Sequence, residues 1–569
     1  MRFMVYGLSF SLWFISSVSM AVSRESEMVR LVDGIAATFD ARYGPKPWKE
    51  SEYGLTVDSI AGQVREAILA EENLDDETYR GHLQQFFNAF RDYHVSYRFI
   101  STESASLPFQ VFPFEDGKFY FVHIDREALP QRVFPFQVGD ELTSFGGMSP
   151  KVVVDELYQQ VEEGNPETSY LIASMLLTQR RKASGMQVPQ GPILIKVRKQ
   201  GDDQEYLHQL VWNYRPANIP ETAASSSTPS FKNLMKQVKN PLITSHMMMA
   251  PTAYELSTLQ SNNPHQLGAY KSFVPTLGEV VWQTPAQYPF YAYIYKSGEK
   301  NIGYVRIPAF YNTVAPNRVF AQAFSLLTQK FQQETDALII DQVNNPGGSV
   351  FYLYALLSML TDQSLAAPRH RFTIGKGDVR MSMRALRMLQ RIETDEQARM
   401  RLGNDIEGYP VSMVFVEMYR SYCRFIIDQW QQKKTLTDPY HLFGVDYINP
   451  YTDAEKRYTK PLLVLVNELD FSGGDFFPAI LQDNQRAHLL GLRTAGAGGY
   501  VETHAVPNKY GLDYFSVTGS LAYRLDGTVL ENLGVTPDTQ LRFTVEDLRN
   551  GFAPYAAQVN QKVMQLVSE

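Results

Sequence analysis

Cysteine is nearly missing: Cys423 is the only one in 569 residues. A single thiol builds neither a disulfide framework nor a thiolate zinc site, so neither holds this chain together. A basic excess is missing as well. Lys and Arg number 53 against 61 Asp and Glu, a formal charge of −8, whereas a nucleic-acid surface needs positive faces to neutralise phosphate. No HExxH, Walker loop or GxGxxG occurs, which removes the commonest metalloprotease, nucleotide and dinucleotide readings. Past the N-terminus no run approaches the roughly 18 apolar residues of a membrane span. What is present is core-forming material, with 44% hydrophobic and 20% charged residues. The length allows roughly three or four domains.

The first 23 residues form a separate object. Arg2 precedes an apolar run from Phe3 to Val18, and small residues follow in Ser19-Met20-Ala21 and Ala21-Val22-Ser23. The run is short for a span and ends like a cleavage site, so residues 1–23 read as a secretory signal peptide rather than a retained anchor. The mature chain is expected to be exported, with no stable membrane anchor.

Three regions follow. Residues 24–107 are helical in pattern: Ile60, Val64, Ile68 and Leu69 recur on one face, and Leu83, Phe86, Phe87 and Phe90 on another. The period changes at Asp92-Tyr93-His94-Val95-Ser96-Tyr97, where Val95, Tyr97 and Phe99 alternate as in a strand. Residues 108–216 read as short strands (119–122 and 135–142) with one helix from Pro150 to Val161. The run Gly139-Asp140-Glu141-Leu142-Thr143-Ser144-Phe145-Gly146-Gly147 resembles the hairpin of PDZ domains, which capture chain termini as an added strand. Residues 217–283 have linker composition, with Ala223–Ser230 rich in serine and Met247-Met248-Met249 in a stretch of little periodicity. A span this long is uncommon inside a compact domain and is usually functional or disordered. It reads as a linker or as an inhibitory segment.

From 284 to 569 the pattern is α/β. Strands at 302–307, 337–340 and Leu462–Val466 alternate with helices at 318–333, after 348, at about 379–401 and 411–432, and to Gln482. Alternation of this kind predicts a mainly parallel sheet whose strand C-termini carry the chemistry.

Two strand-to-helix turns stand out. Pro478 is tolerated only in the first turn of a helix, so the helix after Leu462–Val466 is expected to start close to residues 474 to 476, with Ser472 at its entrance. The amides of Gly473 and Gly474 and the positive helix end suit an oxyanion beside the hydroxyl. Equally, Ser472 fits a plain helix cap. In Asn345-Pro346-Gly347-Gly348 a glycine pair lets backbone N–H groups approach a carbonyl, or simply closes a tight turn. A serine nucleophile needs a base. No lysine lies between Ser472 and Lys509, and His94, His488 and His504 are among ten histidines that the residues alone do not rank. Glu531, in Leu530-Glu531-Asn532-Leu533-Gly534-Val535, is a candidate orienting carboxylate or an ordinary turn residue.

Together Asp341–Gly348, Asn467–Asp483, Gly491–Gly499 and Glu531–Asp538 resemble the C-terminal processing (tail-specific) serine protease family, in order over about residues 290–545. The resemblance implies an α/β multidomain protein: a ClpP/crotonase-like catalytic core, a PDZ-like β-rich domain and the N-terminal helical region. It places the nucleophile at Ser472 and the oxyanion hole at Gly473, Gly347 and Gly348. Many members carry a catalytic lysine in T-F-G-K-G; here Thr494-Ala495-Gly496-Ala497-Gly498 puts Ala497 there. A subgroup uses a Ser-His-Glu triad instead, and resemblance to it implies His94 as base and Glu531 as its carboxylate.

The expectation is thus a secreted serine endopeptidase, made as a zymogen, that hydrolyses protein or peptide substrates through an acyl-enzyme. It needs no metal or cofactor and binds no nucleic acid, and its relatives imply a homodimer. The alternatives are a noncatalytic ligand carrier on the same fold and a PDZ-type interaction protein.

Overall fold

The computed structural model describes residues 24–161, 164–218 and 263–568, together with the backbone of 247–249. Residues 1–23, expected as a signal peptide, and most of the 219–262 span lie outside the described residues.

The C-terminal half is built on a seven-stranded sheet in the order Glu279–Gln283, Ala292–Ser297, Lys300–Arg306, Ala337–Asp341, Leu462–Val466, His488–Gly491 and Thr539–Gln540. The first three strands are antiparallel and the remaining pairings parallel. Every residue of Ala337–Asp341 and Leu462–Val466 is buried, as expected of parallel strands covered on both faces. These two strands are neighbours, with Asp341 beside Leu465. Their C-terminal turns, 342–348 and 467–472, therefore emerge side by side.

A five-stranded sheet, in the order Phe109–Pro113, Phe119–Ile124, Glu141–Phe145, Pro192–Arg198 and Glu205–Val211, forms the β-rich module. Residues 135–140, expected as a strand, are instead a turn. The Asp140 carboxylate accepts the amides of Gln137 and Gln200, both at 2.9 Å, and Gly139 has φ +88°. The module also has two helices rather than one, Pro150–Tyr158 and Pro166–Leu176. Asn165 caps the second by accepting from the Glu167 amide, a start signal that Asn165-Pro166 carries in the sequence. The helix expected over 379–401 is likewise two, Lys376–Leu389 and Asp395–Leu402, the second opened by a Thr394 cap.

Helices Arg24–Arg42, Lys46–Tyr53, Val57–Ala70 and Asp76–Asn88 make the N-terminal region. Their apolar faces close on strand Leu512–Thr518 of the C-terminal half: Phe39 stacks on Phe90 (ring centroids 4.3 Å apart) and on Phe515. Strand Ser96–Phe99 pairs with the same strand, Ser96 opposite Ser516. This packing carries His94 into the core. Residues 263–283, expected as part of a linker, are packed: Leu267, Ala269, Phe273 and Leu277 are buried, and Glu279–Gln283 is an edge of the main sheet.

Candidate active site

Ser472 lies at the start of helix Gly473–Asp483 with φ 56° and ψ −108°, a conformation that a residue with a Cβ adopts at a cost and that clusters at functional sites. Local bonds hold it there. The Ser472 amide donates to Asp475 Oδ2 at 2.7 Å. Asp475 also accepts from the amides of Gly496 (2.8 Å) and Ala497 (2.9 Å) and from the Thr494 hydroxyl. Ala497, where the resemblance places a lysine in many members, thus contributes its backbone to the support of Ser472. Burial pushes the Asp475 carboxyl up to about 6 against the pull of these donors.

His94 Nε2 lies 2.8 Å from Ser472 Oγ, with both side chains fully buried. The main chain around the imidazole is pinned on two sides. The His94 amide donates to Asp92 Oδ1 at 2.8 Å, its carbonyl accepts from Ser516 Oγ at 2.7 Å, and Thr518 Oγ1 donates to Asp92 Oδ2 at 2.7 Å. Next door, Tyr93 packs edge-on against Phe471, one residue before Ser472. Burial lowers the His94 pKa to about 4, with the Asp92 charge acting the other way. A neutral imidazole accepts the serine proton at Nε2 only when Nδ1 carries the hydrogen.

Glu531 is buried nearby but is not hydrogen-bonded to His94, whose Nδ1 has no hydrogen-bond partner among the described residues. Glu531 Oε1 accepts from Lys49 Nζ at 2.7 Å and Oε2 from the Gly498 amide at 3.1 Å. Burial, with Asp92 adding to it, pushes the Glu531 carboxyl up to about 7, while Lys49 pulls it down.

The glycine turns meet at the serine. A Cβ on Gly473 would lie 3.2 Å from both Gly347 Cα and Gly348 N, and one on Gly348 would lie 2.1 Å from the Phe310 carbonyl oxygen. Only glycine fits at 348, and at 473 a Cβ would be tight. Of the three candidate donors, the Gly347 amide is already given to Asn345 Oδ1 at 2.8 Å, in an Asx turn. Gly473 stands at the first helical position, where the amide lacks an intrahelical acceptor. On the other edge of this loop, the backbone of Met247–Met249 pairs antiparallel with Gly347–Ser349, Met248 opposite Gly348.

Lys49, Asp92 and Asp475 did not stand out in the sequence. Asp475 had a signal, since Ser-x-x-Asp is a capping-box spacing, whereas Lys49 sits in the short polar helix Lys46–Tyr53 and had none. His488 and His504 are elsewhere: His488 faces Thr539 and His504 lies near Glu502. Among the described residues no three His, Cys, Asp or Glu side chains come together as a metal site.

A model of peptidase family S41 matches residues 301–541, and a PDZ domain model matches residues 103–219. A protein of Chlamydia muridarum is 33% identical over 562 residues, an alignment covering 93% of this chain and 90% of that one. The chain belongs to peptidase family S41. A protein of Chlamydia trachomatis serovar D is similar to the same degree, 33% identical over 558 residues and covering 93% and 90% of the two chains. The crystal structure of mature CPAF superposes with TM-score 0.82 at 31% identity, covering 96% of this chain and 98% of that one. A structure of mature CPAF complexed with lactacystin gives TM-score 0.82 at 32% identity, covering 96% and 99%. As an S41 member, the chain is a serine peptidase with a PDZ domain ahead of an α/β catalytic domain. No helix among the described residues is long and apolar enough to cross a membrane.

Proposed function

We propose that this chain is an exported serine endopeptidase that works through Ser472, His94 and Glu531 and is made in a self-blocked form. Ser472 Oγ attacks the scissile carbonyl as His94 Nε2 takes its proton; a tetrahedral oxyanion collapses to an acyl-enzyme, and the imidazolium gives the proton to the leaving amine. Water then repeats the sequence to release the acid. The amides of Gly473 and Gly348 receive the oxyanion, since that of Gly347 is engaged. In this scheme Glu531 acts on the imidazolium by charge alone, across a buried site in which attraction between charges is screened little by solvent. The observation that carries this reading is the 2.8 Å contact between His94 Nε2 and Ser472 Oγ, within reach for general-base catalysis.

The self-blocking part rests on the strand Met247–Met249. A substrate bound as an added strand needs an open backbone edge beside the oxyanion amides, and this strand already lies along Gly347–Ser349. Cleavage within 219–262 would release it.

Two experiments test the reading. Hydrolysis of labelled casein is expected to vanish in Ser472→Ala and to fall by about 10³ or more in His94→Ala; wild-type rates in either variant overturn the assignment. Intact mass measured alongside activity is expected to show a rise in rate that tracks cutting in 219–262, and a single uncut chain of full activity overturns the self-blocking.

A further inference from the structure

Helix Lys46–Tyr53 has a single buried residue, Lys49, which is 1% exposed. An ammonium so far from water is tolerated only when its charge is met and its protons find acceptors. Lys49 Nζ donates to Glu531 Oε1 at 2.7 Å, to Asn532 Oδ1 at 2.6 Å and to the Arg91 carbonyl at 2.7 Å. Asn532 Nδ2 donates to that same carbonyl at 2.8 Å. Arg91 is three residues before His94, and Asn532 directly follows Glu531. The ammonium therefore ties the loop of the base to the loop of the carboxylate, and it does so from a third segment.

Other groups near Glu531 do not do this. Asp92, on the His94 turn, is negative and opposes the charge on Glu531, and the Tyr53 and Tyr43 hydroxyls, held un-ionised by burial, bring no positive charge to offset it. The Gly498 amide offers one neutral bond. Two buried carboxylates in one neighbourhood cannot both stay ionised without a cation, and Lys49 is the cation that touches Glu531.

We infer that Lys49 is a positioning residue of the hydrolytic centre: its ammonium holds Glu531 as a carboxylate and sets the His94 and Glu531 loops in register. The inference rests on reading Glu531 as the carboxylate of the triad.

The test uses the full chain, activated as for wild type, in variants Lys49→Met, Lys49→Arg and Glu531→Gln. Rates at low casein concentration are followed from pH 5 to 9, with the melting temperature as a folding control. In wild type the rate is expected to rise with pH through about 7, as Glu531 ionises. In Lys49→Met the rate at neutral pH is expected to drop by about 10–10² and the rising limb to move up by about one pH unit or more. Lys49→Arg keeps the charge and is expected to hold the limb near its wild-type place. A Lys49→Met variant that loses activity with the limb unmoved has lost packing alone and overturns the inference, as does one that matches wild type throughout. If Lys49→Met does not fold, Lys49→Gln reads the same limb against the same two outcomes. Glu531→Gln separates the two levels: undiminished activity there removes the triad reading itself, whatever Lys49 does.

Discussion

Asn344 and Asn467 clasp each other: the Asn344 amide donates to Asn467 Oδ1 at 2.8 Å, and Asn467 Nδ2 donates to Asn344 Oδ1 at 2.7 Å. Asp470 reinforces the clasp by accepting from the Asn345 and Asn467 amides, both at 2.9 Å. One loop leads to Ser472 and the other to the Gly347–Gly348 turn, so these bonds set the spacing between Ser472 and the glycine amides.

Asn467→Ala leaves the Asn344 amide and side-chain oxygen buried without partners. We expect a loss of about 2–4 kcal/mol in denaturant unfolding. A displacement of about 1 Å at the reacting atoms costs about 10² in rate, so kcat is expected to fall by a comparable factor in a variant that still folds.

Gly348→Ala should act on the chemistry more than on binding. Its Cβ would fall 2.1 Å from the Phe310 oxygen at φ +150°, which forces the oxyanion turn to move. Steady-state kinetics are expected to show kcat down by about 10²–10³, the usual cost of one oxyanion donor, with KM little changed.

Asp475→Asn keeps the shape and removes the charge. The amides of Ser472, Gly496 and Ala497 and the Thr494 hydroxyl all point at this carboxylate, and the side-chain NH₂ of asparagine would face one or more of them. A stability loss of about 2–4 kcal/mol is expected by thermal or denaturant unfolding. Fluorophosphonate labelling of Ser472 should slow with it, as the strained φ of the serine relaxes.

Acid should find His94. Its pKa is about 4 in the folded chain against an ordinary 6.5, so the folded state disfavours the charged imidazole. The contribution to stability is complete above about 6.5 and is lost as pH falls toward 4, amounting to roughly 3 kcal/mol. Melting temperature against pH is expected to fall more steeply over this window in wild type than in His94→Asn. His265, also buried with a lowered pKa, contributes equally to both.

The sequence was most legible where one physical constraint dominates. Leu462–Val466 is a strand over the same residues that its unbroken apolar run predicts. The helix after it starts at Gly473, earlier than Pro478 implied: Pro478 lies in the second turn, where the Gly474 carbonyl it leaves free accepts from Gln342 Nε2, and Ser472 still falls at the entrance. Legibility failed where side chains bond to the local backbone: Asp140 turns 135–140 out of the sheet, and Thr394 splits a helix in two. At the candidate site, Ser472 could be picked from its turn, but His94 and Glu531 could be chosen over other histidines and acids only by family resemblance. Their approach depends on strand Ser96–Phe99 pairing with Leu512–Thr518, a contact across more than four hundred residues that no local pattern encodes. Lys49 was illegible for the same reason, since its partners are Arg91, Glu531 and Asn532.

The central claim is that Ser472 is a nucleophile activated by His94. Fluorophosphonate labelling of the processed enzyme, with the modified residue located by peptide mass spectrometry, tests it most directly. The account predicts one labelled site, Ser472, with labelling slowed by about 10³ or more in His94→Ala. Label on another residue, or an unchanged rate at Ser472 without the imidazole, would contradict it.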